Sequence, residues 1–262
     1  MAADKPLFTS QNRSFRYGDG VFETMKFYRG KIILDTLHFD RLFLGLKMLQ
    51  IEHRLMATEL SQFISELCQK NNCMDLARVR LAVFRNEENR ANYVIEASEL
   101  SDEVNRWNEK GLRIDLYPYS RKNADAFSNL KSANFLPYVL AGLYAKEKGI
   151  DDAIVLNAFN LICDSSKANI FLIRNKEIFT PSLHQGCVSG VMRRFLLDEL
   201  KKNGYRVHQE EISEQDVEEA DEVFLTNSIY DIRWVQSFRG KKYSFEACLS
   251  IYKLIKPILY SI

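Results

Sequence analysis

The 262-residue sequence is short of several features that would point to a function at once. It has little net charge: 36 basic residues against 35 acidic ones leave +1, so no strong field draws it to nucleic acid or to an anionic membrane. It has no long apolar run. The longest, FLPYVLAGLYA at residues 135–145, is too short to cross a bilayer, and the opening MAADKPLFTSQNRSFRYGDG contains nothing resembling a signal peptide. It has no cysteine framework. Cys68, Cys73, Cys163, Cys187 and Cys248 are odd in number and scattered, which favours reduced thiols in a cytoplasmic protein. The spacing of Cys68 and Cys73 is not that of a zinc knuckle. His38, His53, His184 and His208 are dispersed, so no metal site is expected. Internal repeats and low-complexity segments are also missing.

What remains is a chain of ordinary globular composition, 46% hydrophobic and 27% charged, long enough for one large or two smaller domains. Residues 21–34 (VFETMKFYRGKIIL) read as a hairpin turning at Arg29-Gly30. Residues 36–49 read as a helix, with Phe39, Leu42, Leu46 and Leu49 at helical spacing. A second helix covers about 57–69, and strands follow at 77–84 and 93–97. This half reads as an α/β sandwich of a meandering sheet and two helices. A strand at 112–118 precedes the polar segment YSRKNADAFSN (119–129), which reads as irregular and marks a boundary. The expected division is 1–118, a linker at 119–128, and 129–262. In the second half, helices are expected at about 135–148, from near Ser189-Gly190 to Lys202, and from Phe245 to about Ile255, the last stopped near Pro257. Strands are expected at 152–156 and 222–225.

Five local features bear on chemistry. LICDSSKANIF (161–171) sets Asp164 between two apolar runs, where a carboxylate is costly to desolvate without a partner. Lys131 stands at the edge of an apolar helix just after a polar loop. It is either a nucleophile whose amine is tuned by desolvation, or a helix-start lysine that snorkels to solvent. SGVMRRF (189–195) opens a helix with small residues, leaving backbone N–H groups for a phosphate or for a plain Ser cap. Thr226-Asn227-Ser228 end a strand and could hold a phosphate or form a turn. In RYGDGVFET (16–24) the glycines suit a tight turn into a strand. His38 and Arg41 lie three apart on one helical face, and Arg41 could clamp a phosphate or pair with Asp40 or Asp35.

Taken in order, these pieces resemble the class IV aminotransferase family, the fold-type IV pyridoxal-phosphate enzymes. The chain carries YGDGVFET, then HFDRL, Lys131 before an apolar VLA helix, the DAIVL strand, DSSKANIF, a TP turn, GCVSGVMR, ADEVF and TNS, over roughly residues 16–235. One position departs: Asp164 stands where the family carries glutamate. The resemblance implies a two-domain α/β (α+β) fold, with a small N-terminal α/β sandwich and a larger C-terminal β-barrel-like domain with helices. It implies pyridoxal 5′-phosphate as cofactor, a small amino-acid-like substrate and a homodimer. Lys131 resembles the lysine that bonds the cofactor, and Arg41 the arginine on its phosphate. Val191 and Met192 resemble the phosphate-binding helix start, assisted by Asn227 or Ser228. Asp164 takes the place of the carboxylate that faces the pyridine nitrogen. FRNEENR (84–90) resembles the segment that supplies arginines for substrate carboxylates, with Arg90 the first candidate and Arg85 the second. Phe22 is expected close to the cofactor.

Within the family, branched-chain aminotransferases carry a tyrosine five residues after the lysine, where this chain has Leu136. D-amino acid aminotransferases and aminodeoxychorismate lyases tend to have leucine there. GVMRRF, TNS followed by Trp234-Val235, and the chain length are closer to the lyase, which releases pyruvate and 4-aminobenzoate in folate synthesis. The sequence therefore reads as that lyase, with an aminotransferase of branched-chain or D-amino acid type, or a non-catalytic cofactor-binding relative, as alternatives.

Overall fold

The structure, a computed structural model, describes residues 9–261. It contains two compact units, Met1–Ser101 with Leu130–Phe135, and Asp102–Asn129 with Leu136–Ile262.

The first unit runs α1 (Arg13–Tyr17), β1 (Gly20–Tyr28), β2 (Lys31–Ile32), α2 (Asp35–Met48), α3 (Ala57–Lys70), β3 (Leu76–Arg85) and β4 (Ala91–Glu99). Its sheet is antiparallel throughout, in the order β2-β1-β3-β4. The β1–β2 turn falls at Arg29-Gly30, as the sequence implies. Both residues have positive φ (46° and 84°), the backbone that a two-residue hairpin needs. Side chains alternate along β1. Val21, Met25 and Phe27 share a core with Leu42 and Leu46 of α2 and Leu60 and Ile64 of α3. The same parity sends Glu23 into that face, and the carboxylate must find partners there. β2 pairs only with Phe27 and Tyr28, at the far end of β1. The near end instead takes residues 131–133. The Phe22 N–H donates to the Lys131 carbonyl (2.9 Å), the Ala133 N–H donates to the Gly20 carbonyl (2.9 Å), and Val21 bridges Ser132. Lys131 is thus fixed by backbone pairing onto a strand edge.

The second unit contains β5 (Leu112–Lys122), α4 (Leu136–Lys148), β6 (Asp152–Asn157), β7 (Ile162–Ser165), β8 (Asn169–Arg174), β9 (Glu177–Pro181), α5 (Val191–Lys202), β10 (Val207–Glu210), α6 (Glu214–Glu219), β11 (Glu222–Asn227), β12 (Asp231–Phe238), β13 (Lys241–Lys242) and α7 (Glu246–Leu259). Its nine-stranded sheet has the order β10-β9-β8-β11-β12-β5-β6-β7, with β13 on β12, and curls into a half-barrel. The runs DAIVLN and ICDS, buried along their whole length, read as continuous because both faces are covered.

Three details differ from the sequence reading. β5 does not stop at Pro118. After a register shift it continues through Arg121 and Lys122, which pair with Leu156 and Asn157 of β6. Sheet pairing overrides the polar composition there and carries β5 into the second unit. α7 continues past Pro257 to Leu259, its buried face of Cys248, Ile251, Tyr252, Ile255 and Leu259 running through the proline. Strand β12 follows the T-N-S turn, and Trp234 lies buried in it, its indole N–H on the Asn108 carbonyl (2.7 Å).

Candidate active site

In the first unit, Glu23 is the centre of a buried polar cluster. Its Oε1 accepts from Arg41 Nε (2.8 Å), and its Oε2 accepts from Arg41 Nη2 (2.5 Å) and meets His38 Nδ1 at 2.6 Å. The three-residue spacing of His38 and Arg41 on α2 brings both onto this one carboxylate. Burial alone would raise the Glu23 carboxyl; the Arg41 charge and the His38 bond overcome it and hold it at about 2. Burial also lowers His38, so its ring is neutral and Nδ1 carries the donated proton. Glu23 therefore orients Arg41, and the fork is fixed before any anion arrives. Lys131 Nζ lies 4.5 Å from the Phe22 ring centre and 5.2 Å from that of Phe135, and those two rings meet edge to face at 5.3 Å. An amine over apolar rings is the setting for an accessible, tunable nucleophile.

Arg85 is held by its own unit. It donates to Asp19 Oδ2 (2.9 Å), to the carbonyls of Gln50 (2.9 Å) and Leu49 (2.5 Å), and to the Asn89 amide oxygen. Arg90 is exposed and lies 3.7 Å from Glu88.

In the second unit, Asp164 on β7 is fully buried. Its Oδ2 accepts from Tyr138 Oη (2.6 Å) and the Val188 N–H (2.8 Å), and its Oδ1 accepts from Asn169 Nδ2 (2.7 Å). Burial pushes its carboxyl up, and the nearby Lys122 charge and these three donors pull the other way. Asn169 Nδ2 also donates to the Val188 carbonyl (2.9 Å). Its Oδ1 lies where a Cβ on Gly190 would be, 1.8 Å away, so only glycine fits there. Gly190 is the N-cap of α5, and no side chain caps that helix. Its first backbone N–H groups, at Val191 and Met192, are thus left without a side-chain cap next to the Asp164 network, and a helix start of this kind favours negative charge. Asn227 is a turn former: its Oδ1 accepts from the N–H groups of Ile229 and Tyr230 (both 2.9 Å), and its Nδ2 donates to the Lys167 carbonyl (3.2 Å). Ser228 is half-buried beside it.

Four members of these clusters carried no role in the sequence reading. Glu23 had a usable signal, an acid at the same strand parity as the apolar Val21, Met25 and Phe27. Tyr138 lies within an apolar helix, and Asn169 within the NIF run. Lys122 offered no signal, because its placement depends on the register shift of β5.

Comparison with known proteins settles the relationship. The family model described as "Amino-transferase class IV" matches residues 20–238. The chain belongs to this family. The class IV aminotransferases and their lyase relatives are enzymes that act with pyridoxal phosphate. The chain is 26% identical to a D-alanine aminotransferase of Listeria monocytogenes over 242 residues, 88% of this chain and 82% of that one. It is 28% identical to an aminodeoxychorismate lyase of Vibrio harveyi over 230 residues, 84% and 83% of the two chains. In fold it is similar to the branched-chain aminotransferase of Thermoproteus uzoniensis, with a TM-score of 0.88, 20% identity, and coverage of 99% of this chain and 91% of that one.

The donor set of this class IV chain suits the cofactor on physical grounds. A buried carboxylate with a strong network fits a protonated ring nitrogen, an uncapped helix start fits a phosphate, and a lysine over aromatic rings fits an aldehyde. Among the described residues, no group of His, Cys, Asp and Glu could hold a metal ion.

Proposed function

We propose that this chain is a 4-amino-4-deoxychorismate lyase, releasing pyruvate and 4-aminobenzoate for folate synthesis. The observation that carries the choice is the GVMRRF helix start together with TNS followed by Trp234-Val235, and the Vibrio harveyi relative supports the same reading. Leu136, five residues after Lys131 where the branched-chain type bears a phenol, argues against that type alone.

In this reading Lys131 bonds the cofactor aldehyde. Its free amine would move the proton at the substrate Cα. By the family resemblance, phosphate binding falls to Arg41, held by Glu23, and to the N–H groups of Val191 and Met192, with Ser228 as an assisting residue. Asn227 shapes that turn. Asp164 holds a proton on the ring nitrogen. Bound pyridoxal phosphate supplies an electron sink for the charge left at Cα. Phe22 lines the lysine, and Arg90 receives a substrate carboxylate; the bonds that Arg85 already makes leave that task to Arg90. Two subunits pair in this reading. Support comes from Leu136, Val139, Leu140 and Leu143, an exposed apolar stripe on one face of α4. A cytoplasmic setting is supported by five buried thiols without disulfides.

The test is a product assay on purified protein loaded with cofactor. Pyruvate and 4-aminobenzoate are expected together without added keto acid, and borohydride should fix the cofactor on Lys131. Release of 4-aminobenzoate only when a keto acid is supplied would overturn the lyase in favour of amine exchange, the reading that the D-alanine aminotransferase relative favours.

A further inference from the structure

Lys122, at the end of β5, has a side chain only 11% exposed. Its Nζ donates to Tyr138 Oη (2.6 Å) and to the Ser128 carbonyl (2.7 Å), and lies 3.8 Å from Asp164 Oδ2. The Tyr138 hydroxyl can donate only one proton, and that proton goes to Asp164. The three groups therefore form a directed chain, ammonium to phenol to carboxylate. It begins on a strand end, passes through α4 and ends on β7. A largely buried ammonium is costly unless it answers a buried charge, and Asp164 is the carboxylate it reaches. The chain loads Oδ2. Tyr138 and Val188 both donate to that oxygen, while Oδ1 receives Asn169 alone. Oδ1 is thus the oxygen with acceptor capacity to spare for a ligand N–H.

We propose that Lys122, acting through Tyr138, is a positioning residue that keeps Asp164 ionised and turns its Oδ1 toward the ring nitrogen of the cofactor. This inference rests on the assignment of Asp164 to that nitrogen. It gives the shorter side chain a rigid mount in place of reach. The other charged or titratable groups around Asp164 are Cys163 next to it on β7, Cys187 just before α5, and Arg193 within α5. Both thiols are pushed up by burial and stay neutral. The Arg193 guanidinium is engaged by the Pro181 carbonyl and Gln209 (both 2.9 Å). Lys122 is therefore the cation whose removal changes the Asp164 charge balance without dismantling the helix start.

The experiment compares binding of pyridoxal phosphate with binding of its analogue that has carbon in place of the ring nitrogen. The full chain, freed of cofactor, is titrated by the visible band of the bound form from pH 5 to 9. The wild type should prefer the nitrogen compound, and that preference should fade at low pH as the carboxylate gains a proton. Removing a neighbouring cation raises a carboxyl pKa, so in Lys122→Met the fading should begin about one pH unit higher. Tyr138→Phe should shift it in the same direction, and Lys122→Arg should restore it. If Lys122→Met and Tyr138→Phe weaken both compounds equally at every pH, Lys122 is merely structural and the inference fails. Asp164→Asn guards the premise. If it too leaves the preference unchanged, the ring-nitrogen assignment is what has failed.

Discussion

The contact between Asn169 and Gly190 permits a prediction of sign. Gly190 has φ −66° and ψ 134°, a backbone that alanine adopts without strain. At such a backbone Gly→Ala gains about 0.4–1 kcal/mol through the unfolded chain, but at an N-cap glycine is preferred over alanine, which offsets that gain. Here the added Cβ would fall 1.8 Å from Asn169 Oδ1, and the amide must move. Moving it breaks a 2.7 Å bond to the Asp164 carboxylate and a 2.9 Å bond to the Val188 carbonyl. A bond to a charged group is worth about 1.5–3 kcal/mol and a neutral one about 0.5–1.5, so the net loss is about 1–4 kcal/mol. In the Asn169→Ala background the amide is gone and only the Arg193 Cβ, 3.3 Å from the added carbon, still crowds it, so the same glycine replacement should cost far less than in the wild type. The assay is a four-member cycle of single and double variants followed by thermal melting, with roughly 2–4 °C expected per kcal/mol for a chain of this size. Gly190→Ala stabilising the wild type, or costing the same in both backgrounds, would refute the reasoning.

Other consequences follow from the same geometry. Asp164→Asn should still take up the cofactor, without the preference for its ring nitrogen, and cut turnover sharply; undiminished turnover in a steady-state assay would remove Asp164 from its role. The Glu23 carboxyl is held at about 2 against an ordinary 4.5, a difference worth roughly 3 kcal/mol. Because the folded value is depressed, that stability is present above 4.5 and lost as pH falls toward 2. His38, also depressed, adds a loss that begins below its ordinary 6.5. Urea midpoints measured from pH 7.5 to pH 3 should therefore decline with acid. Glu23→Gln should be weaker by about 3–5 kcal/mol at neutral pH, with a flatter acid limb, since it leaves the Arg41 charge without its buried partner; an unchanged limb counts against the cluster. All five thiols are buried, and burial pushes those of Cys68, Cys163, Cys187 and Cys248 up, so a thiol reagent should titrate none in the native protein and five in denaturant.

The ordered motifs from YGDGVFET to TNS were legible because each combines a local backbone demand with a chemical group. Periodicity placed the hairpin, α2, α3 and α4 within a residue or two of their observed limits, since their buried faces repeat every two or about three and a half residues. Local order likewise put Lys131, Arg41, Asp164 and the α5 start on the page as candidates. Their partners are a different matter. Glu23 meets Arg41 across eighteen residues, Asn169 meets Gly190 across twenty-one, and Tyr138 meets Asp164 across twenty-six. Separations of that kind are set by strand register and helix packing, which no short window of sequence contains. Lys122 is the sharpest instance. Its neighbours read as a polar linker, yet the β5–β6 pairing resumes after a shift and buries its ammonium beside Asp164. Which groups are available to react was written in the chain; which carboxylate answers which cation was decided only when the sheets closed, because desolvation makes an unpaired charge intolerable and leaves the fold to choose the partner.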